Sequence, residues 1–231
     1  MQPQINSSQY SVVVVGAMNP AIHHPQWYEA VGMLTAEEAQ AAVRSGALVI
    51  VPQLAQFQAA ALQIQCSPAG WQISTADQQQ CGRIIDVAAM TFARLAETPI
   101  SAYGLNARFD VNTGSEHAIE MLGAQFSEGP VDFSFEGLRP DFESVAVSYS
   151  MSPISVEGQP QVQRQLKMTI TCASRGPDAV IAAFNMHHAV SLSPAFSRFD
   201  LDKLLRASAA AFEVENALLK GILNALTAVE G

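Results

Sequence analysis

Charge is scarce in this sequence. Asp, Glu, Lys and Arg together make 14% of its 231 residues, against about a quarter in an ordinary globular chain. No Lys or Arg occurs before Arg44, and the formal net charge is −9. A phosphate backbone is held by clustered cations. None cluster here, so direct nucleic-acid binding is not expected. Cysteine is nearly as scarce, with Cys66, Cys81 and Cys172 far apart and no CxxC pair. An odd, sparse set points to reduced thiols and a cytoplasmic location. Residues 1–9 carry no basic leader region, and no apolar run is long enough to cross a bilayer, so no membrane role is expected.

The motifs of common chemistries are also missing. There is no GxSxG, HExxH, GxGxxG or GxxxxGK, which removes the usual signatures of serine hydrolases, zinc proteases and phosphate-binding loops. His187-His188 falls in an expected strand, where successive side chains leave by opposite faces and cannot easily share one ion. His188 then reads as a core residue and His187 as solvent-facing, with the remaining histidines on the surface. The three cysteines each fall on an expected apolar face and read as small core hydrophobes. Asp132, Glu136, Asp141 and Glu143 could serve a magnesium-dependent nuclease, but alternation along a strand and a loop explain them more simply. No catalytic residue, metal or cofactor is therefore assigned.

Hydrophobic residues make up 49% of the chain, enough for a sizeable core. With so little charge, the surface must be covered by Gln, Ser, Thr and Asn, with Gln dense between Gln53 and Gln65. Weakly charged surfaces favour association, so a protein partner or self-association is expected.

The pattern predicts an α+β fold. Residues 10–16, 47–51, 54–66 and 71–75 read as strands, with helices at 25–32 and from a capping box at Thr35 and Glu38. A long amphipathic helix is predicted over 77–97. Strands follow at 100–111, 131–135, 143–151, 161–173 and 179–190, with a short helix ending near 125. Asp200 is expected to cap a last helix over 201–227. Two halves, 1–98 and 99–231, thus share one plan, β-α-β(3–4)-α. Hairpins dominate, so the sheet should be mostly antiparallel with helices on one face. This element order resembles the two-lobed, saddle-like sheets of TATA-binding-protein-like or helix-grip folds.

The segment Met18-Asn-Pro-Ala-Ile-His-His-Pro-Gln-Trp-Tyr28 joins a rigid loop to two large aromatics. It reads either as a recognition loop or as a plug packed on the sheet. Asn19, His23, His24, Trp27 and Tyr28 are its interaction candidates. Asn106, Arg108 and His187 are expected to form a polar cluster on the open sheet face. Gly16-x-x-Asn-Pro-x-Ile-x-x-Pro-x-Trp27 resembles the start of an uncharacterised, sporadically distributed bacterial family often found near mobile elements. Thr98-Pro-Ile-x-x-x-Gly-Leu-Asn106 with Phe109, and Asn185-Met-His-His188 to about Leu223, resemble two further blocks of it. The resemblance implies no activity. The expected function is a non-enzymatic binding or assembly subunit. The alternatives are a small-molecule binder with a cavity between sheet and long helix, or an enzyme of unfamiliar type.

Overall fold

The computed structural model describes residues 2–115, 117–126, 144–157, 159, 161–174, 176, 178–190 and 200–228. Its strands are β1 (Gln4–Gly16), β2 (Val49–Val51), β3 (Leu54–Ala59), β4 (Leu62–Ser67), β5 (Gly70–Thr75), β6 (Ile100–Asn112), β7 (Ser144–Ile154), β8 (Val162–Cys172) and β9 (Ala179–Val190). They form one 9-stranded sheet in the order β2-β3-β4-β5-β1-β6-β9-β8-β7. Every neighbouring pair is antiparallel. Reading outward from the central β1–β6 pair, the order β1-β5-β4-β3 on one side matches β6-β9-β8-β7 on the other.

Register explains why the sheet has two unlike faces. One row of partners across eight strands reads Phe57, Ile64, Ile73, Val12, Leu105, Met186, Leu166, Tyr149. A neighbouring row reads Gln58, Gln63, Ser74, Ser11, Asn106, Asn185, Lys167, Ser148. Side chains alternate between faces with a period of two, so one face is mainly apolar and the other mainly polar. A slip of one residue in any strand would exchange them.

Helices seal the apolar face. They are α1 (Pro25–Ala30), α2 (Ala36–Arg44), α3 (Cys81–Arg94), α4 (Ala118–Phe126), α5 (Leu201–Ala207) and α6 (Ala211–Ala228). In α2, Thr35 accepts from the Glu38 amide while the Glu38 carboxylate accepts from the Thr35 amide, so the predicted capping box is present. Asp200 caps α5 by accepting from the Lys203 amide. α3 packs on β1 and β5, α6 on β6 and β9, and α4 on β7, β8 and α6. Each fully buried Leu, Ile, Val or Phe contributes about 1.5–3 kcal/mol, so the sealed row dominates the core.

Several boundaries differ from the sequence expectation. The strand expected over 54–66 is a hairpin, β3 and β4, turned at Ala60 with φ 51°. No Gly, Asn or Pro marks that turn, and so the alternation reads straight through it. The helix expected from 77 begins with a short 3₁₀ turn, Gln78–Gln80, capped by Asp77, and is α-helical only from Cys81 to Arg94. β1 starts at Gln4 rather than residue 10, because its polar first half pairs with β6. The last helix bends between α5 and α6 at Ser208, whose hydroxyl donates back to the Leu204 carbonyl. Cys172 is exposed, not buried, because it closes β8. The expected strand 131–135 and the carboxylates at 132, 136, 141 and 143 lie outside the described residues.

Candidate functional site

The face of the sheet on which no described helix packs carries three of the expected interaction residues together. Asn106 stands opposite Ser11 on one side and Asn185 on the other. Arg108 pairs with Gln9, and His187 stands opposite Gly104. The Asn106 amide donates to the Ser11 hydroxyl at 3.5 Å. Its Oδ1 is buried and meets no hydrogen-bond partner among the described residues. Gly104 leaves a notch there. A β-carbon on Gly104 would lie 3.4 Å from Asn106 Oδ1 and 3.8 Å from Asn185 Oδ1. Two amide oxygens thus flank one gap in the side-chain layer, the Asn106 oxygen sealed beneath it and Asn185 exposed beside it.

Around this notch the face is nearly uncharged. Gln56, Gln65 and Gln72 stand abreast on β3, β4 and β5. Gln163, Gln165 and Thr169 project the same way from β8, beside Ala189, His187 and Ala183 of β9. Among the described strand residues of this face, only Arg108, Asp110 and Lys167 carry charge. Val15, Val49 and Val51 add exposed apolar patches to the same face.

The other five interaction candidates gather at one end of the molecule, on the helical side. Asn19 accepts from the Ala21 amide and caps the 3₁₀ turn Pro20–Ile22. His24 caps α1, its Nδ1 accepting from the Gln26 amide. Tyr28 is fully buried, with its hydroxyl 2.9 Å from the Trp71 indole nitrogen and 2.7 Å from His23 Nδ1. Trp27 packs edge-on against Tyr28. His23 is only 1% exposed, so the surface position expected for it is corrected. The aromatic layer of Trp27, Tyr28 and Trp71 draws it in. Burial lowers its pKa to about 4. The segment is mainly a plug, and its capping and aromatic residues hold it in place.

His188 is a core residue, as expected, whereas buried Ser208 and Glu215 escaped sequence reasoning. The Ser208 hydroxyl lies 3.2 Å from both the Tyr103 hydroxyl and His188 Nε2, and the His188 ring stacks on Tyr103 at 4.3 Å. Burial pulls His188 down to about 4 and pushes Tyr103 up to about 12. Glu215 is fully buried on α6, and neither oxygen meets a partner of good geometry among the described residues. Burial pushes its pKa up to about 9 against a lesser pull from the Met186 backbone. Its signal was in the sequence: residue 215 falls on the apolar stripe between Phe212 and Leu219. Cys66 and Cys81 are both pushed up to about 12, chiefly by burial, which favours the protonated thiol at neutral pH.

Among the described residues, no group of three or more His, Cys, Asp or Glu is placed to hold a metal ion. An apolar hollow of about 280 Å³ opens between α6, α4 and the β7–β8 edge, lined by Leu122, Tyr149, Met168, Leu218 and Ile222. No helix among the described residues is long and apolar enough to cross a membrane. No known family model matches the chain, and no curated protein matches it either.

Proposed function

We propose that this protein is a non-enzymatic binding and assembly subunit. It takes a protein partner, a second copy of itself or another chain, on the open face of its sheet. One observation carries the reading: among the described residues, no helix packs on one face of the nine-stranded sheet, and that face is mainly polar yet almost free of charge. A face intended only for water is usually rich in Lys and Glu. Interface cores instead are depleted of charge and mix apolar anchors with hydrogen-bonding groups. Here Val15, Val49 and Val51 are the anchors, and the Gln, Asn and Ser rows supply donors and acceptors. Beside the Gly104 notch the exposed amide of Asn185 is open to a polar group of the partner. The mirrored strand order supports likening the sheet to saddle-shaped, TATA-binding-protein-like sheets. With Arg108 and Lys167 the only described cations on the face's strands, nucleic acid is not the proposed ligand. The sparse cysteines support a cytoplasmic setting.

Light scattering over a concentration series tests the reading, alongside Gln65→Arg and His187→Glu. Both positions are exposed, so these changes leave the core intact. The wild type should exceed monomer mass or co-purify with one partner in fixed ratio, and both variants should lose that association. A strictly monomeric wild type that co-purifies with nothing, or an association indifferent to both variants, defeats it.

The apolar hollow under α6 favours a second reading, a small-molecule binder. A thermal-shift screen against metabolites tests it, since any ligand that binds only the folded state raises the midpoint. No shift across apolar and amphipathic compounds would count against it.

A further inference from the structure

The plug segment and the end of α3 line a second hollow. This cleft has a volume of about 460 Å³ and lies between Ala17–His23 and Arg94–Pro99. That is within the size range of small-molecule sites. Met18, Ile22, Leu95 and Pro99 give it apolar walls.

His23, a residue almost wholly withdrawn from water, is among its lining. The Trp71 indole N–H donates to the Tyr28 hydroxyl oxygen at 2.9 Å. The shortest contact of that hydroxyl is His23 Nδ1, at 2.7 Å, and we assign its proton to that bond. Nδ1 is then the acceptor, so the neutral ring carries its own proton on Nε2. No partner for Nε2 is found among the described residues, and it is not among the sealed polar atoms. His23 lines the cleft, the side to which we assign that atom. The two charged residues of the wall are Arg94 and Glu97. Glu97 already has an interaction of its own, whereas no ion pair of Arg94 is found among the described residues.

We infer that this cleft binds a small apolar carboxylate, one oxygen accepting the Nε2–H of His23 and the charge facing Arg94. The apolar body fills the walls, and the Trp71–Tyr28–His23 chain holds the donor in place before the ligand arrives. Such preorganisation favours binding because little has to be ordered afterwards. The inference is independent of the open-face reading, since neither site contributes residues to the other.

The test uses the full chain labelled with ¹⁵N at histidine, with benzoate as the probe. Long-range proton–nitrogen spectra should show His23 protonated at Nε2 and bare at Nδ1. Benzoate should shift the His23 signals saturably, in the millimolar range, and leave those of His188 and His187 in place. Arg94→Gln should weaken that binding several-fold. Ala96→Trp, at the cleft wall, should abolish it while leaving the His23 tautomer and the melting temperature unchanged. A proton on Nδ1 in the free protein, a His23 signal that benzoate does not move, or unaltered binding in Ala96→Trp would each overturn the inference.

Discussion

Gly16 meets the carbonyl of Pro99 so closely that a β-carbon would overlap its oxygen. The next amide, Ala17 N–H, donates to that same oxygen at 3.0 Å. The end of β1 is therefore pinned to the segment that opens β6, and two of the sequence blocks singled out by resemblance, one starting at Gly16 and one at Thr98, touch here. Both ends of the contact are backbone, so neither can rotate away. Gly16→Ala is expected to lower stability by about 1–3 kcal/mol through overpacking. Urea denaturation measures it, and a variant as stable as the wild type would show that the junction yields freely.

Much of the fold was legible because alternation is a strong signal when one face must be dry. The strands at 100–111, 161–173 and 179–190 match β6, β8 and β9 to within a residue or two. The capping box at Thr35 and Glu38 was equally readable, since its two hydrogen bonds need those residue types at that spacing. The Ala60 turn was not legible, because Ala adopts a positive φ only when the strands around it compel it. Of the open-face candidates, Asn106, Arg108 and His187 could be grouped by parity alone. His23 could not be placed, because its burial depends on Trp71, which is distant in sequence. Glu215 was missed because a carboxylate on an apolar stripe contradicts the usual rule, and only packing shows that it has no escape to water.

Glu215 gives stability a pH dependence of unusual sign. Its folded pKa of about 9 lies above the ordinary 4.5. The folded state thus keeps a proton that the unfolded chain has lost. The contribution is fully present below about pH 4.5 and is lost as pH rises toward 9. In that window the wild type should lose up to about 1.4 kcal/mol per pH unit relative to Glu215→Gln. Guanidinium unfolding of both proteins between neutral and alkaline pH reads the difference, and parallel curves would show that Glu215 is ionised in the fold.

His23 and His188 act in the opposite direction. Both fold with pKa values of about 4, below the ordinary 6.5, because burial disfavours the charged ring. The unfolded chain binds the extra protons, so their contribution is present above pH 6.5 and is lost as pH falls toward 4. Two histidines outweigh the one glutamate in this range, so stability should peak near neutral pH. His188→Gln should flatten the acid limb by about 1.4 kcal/mol per pH unit. An acid limb of unchanged slope would mean that His188 charges without leaving the fold.

Tyr28 is the hub of the plug. It is fully buried, and its hydroxyl serves both the Trp71 indole and His23 Nδ1. Tyr28→Phe keeps the ring and its edge-on packing against Trp27 and Phe57, yet removes the oxygen from both partners. Each buried group left unpaired costs about 1–3 kcal/mol. The loss should therefore exceed that of an ordinary buried Tyr→Phe change with one partner. Trp71→Phe alone strands only the tyrosine's acceptor side, so the double variant should cost less than the two singles added together, because they share one bond. A thermal-unfolding cycle over the four proteins measures that coupling. Strict additivity would mean that the indole and the hydroxyl do not bond in the folded protein, and the plug would then be held by ring packing alone.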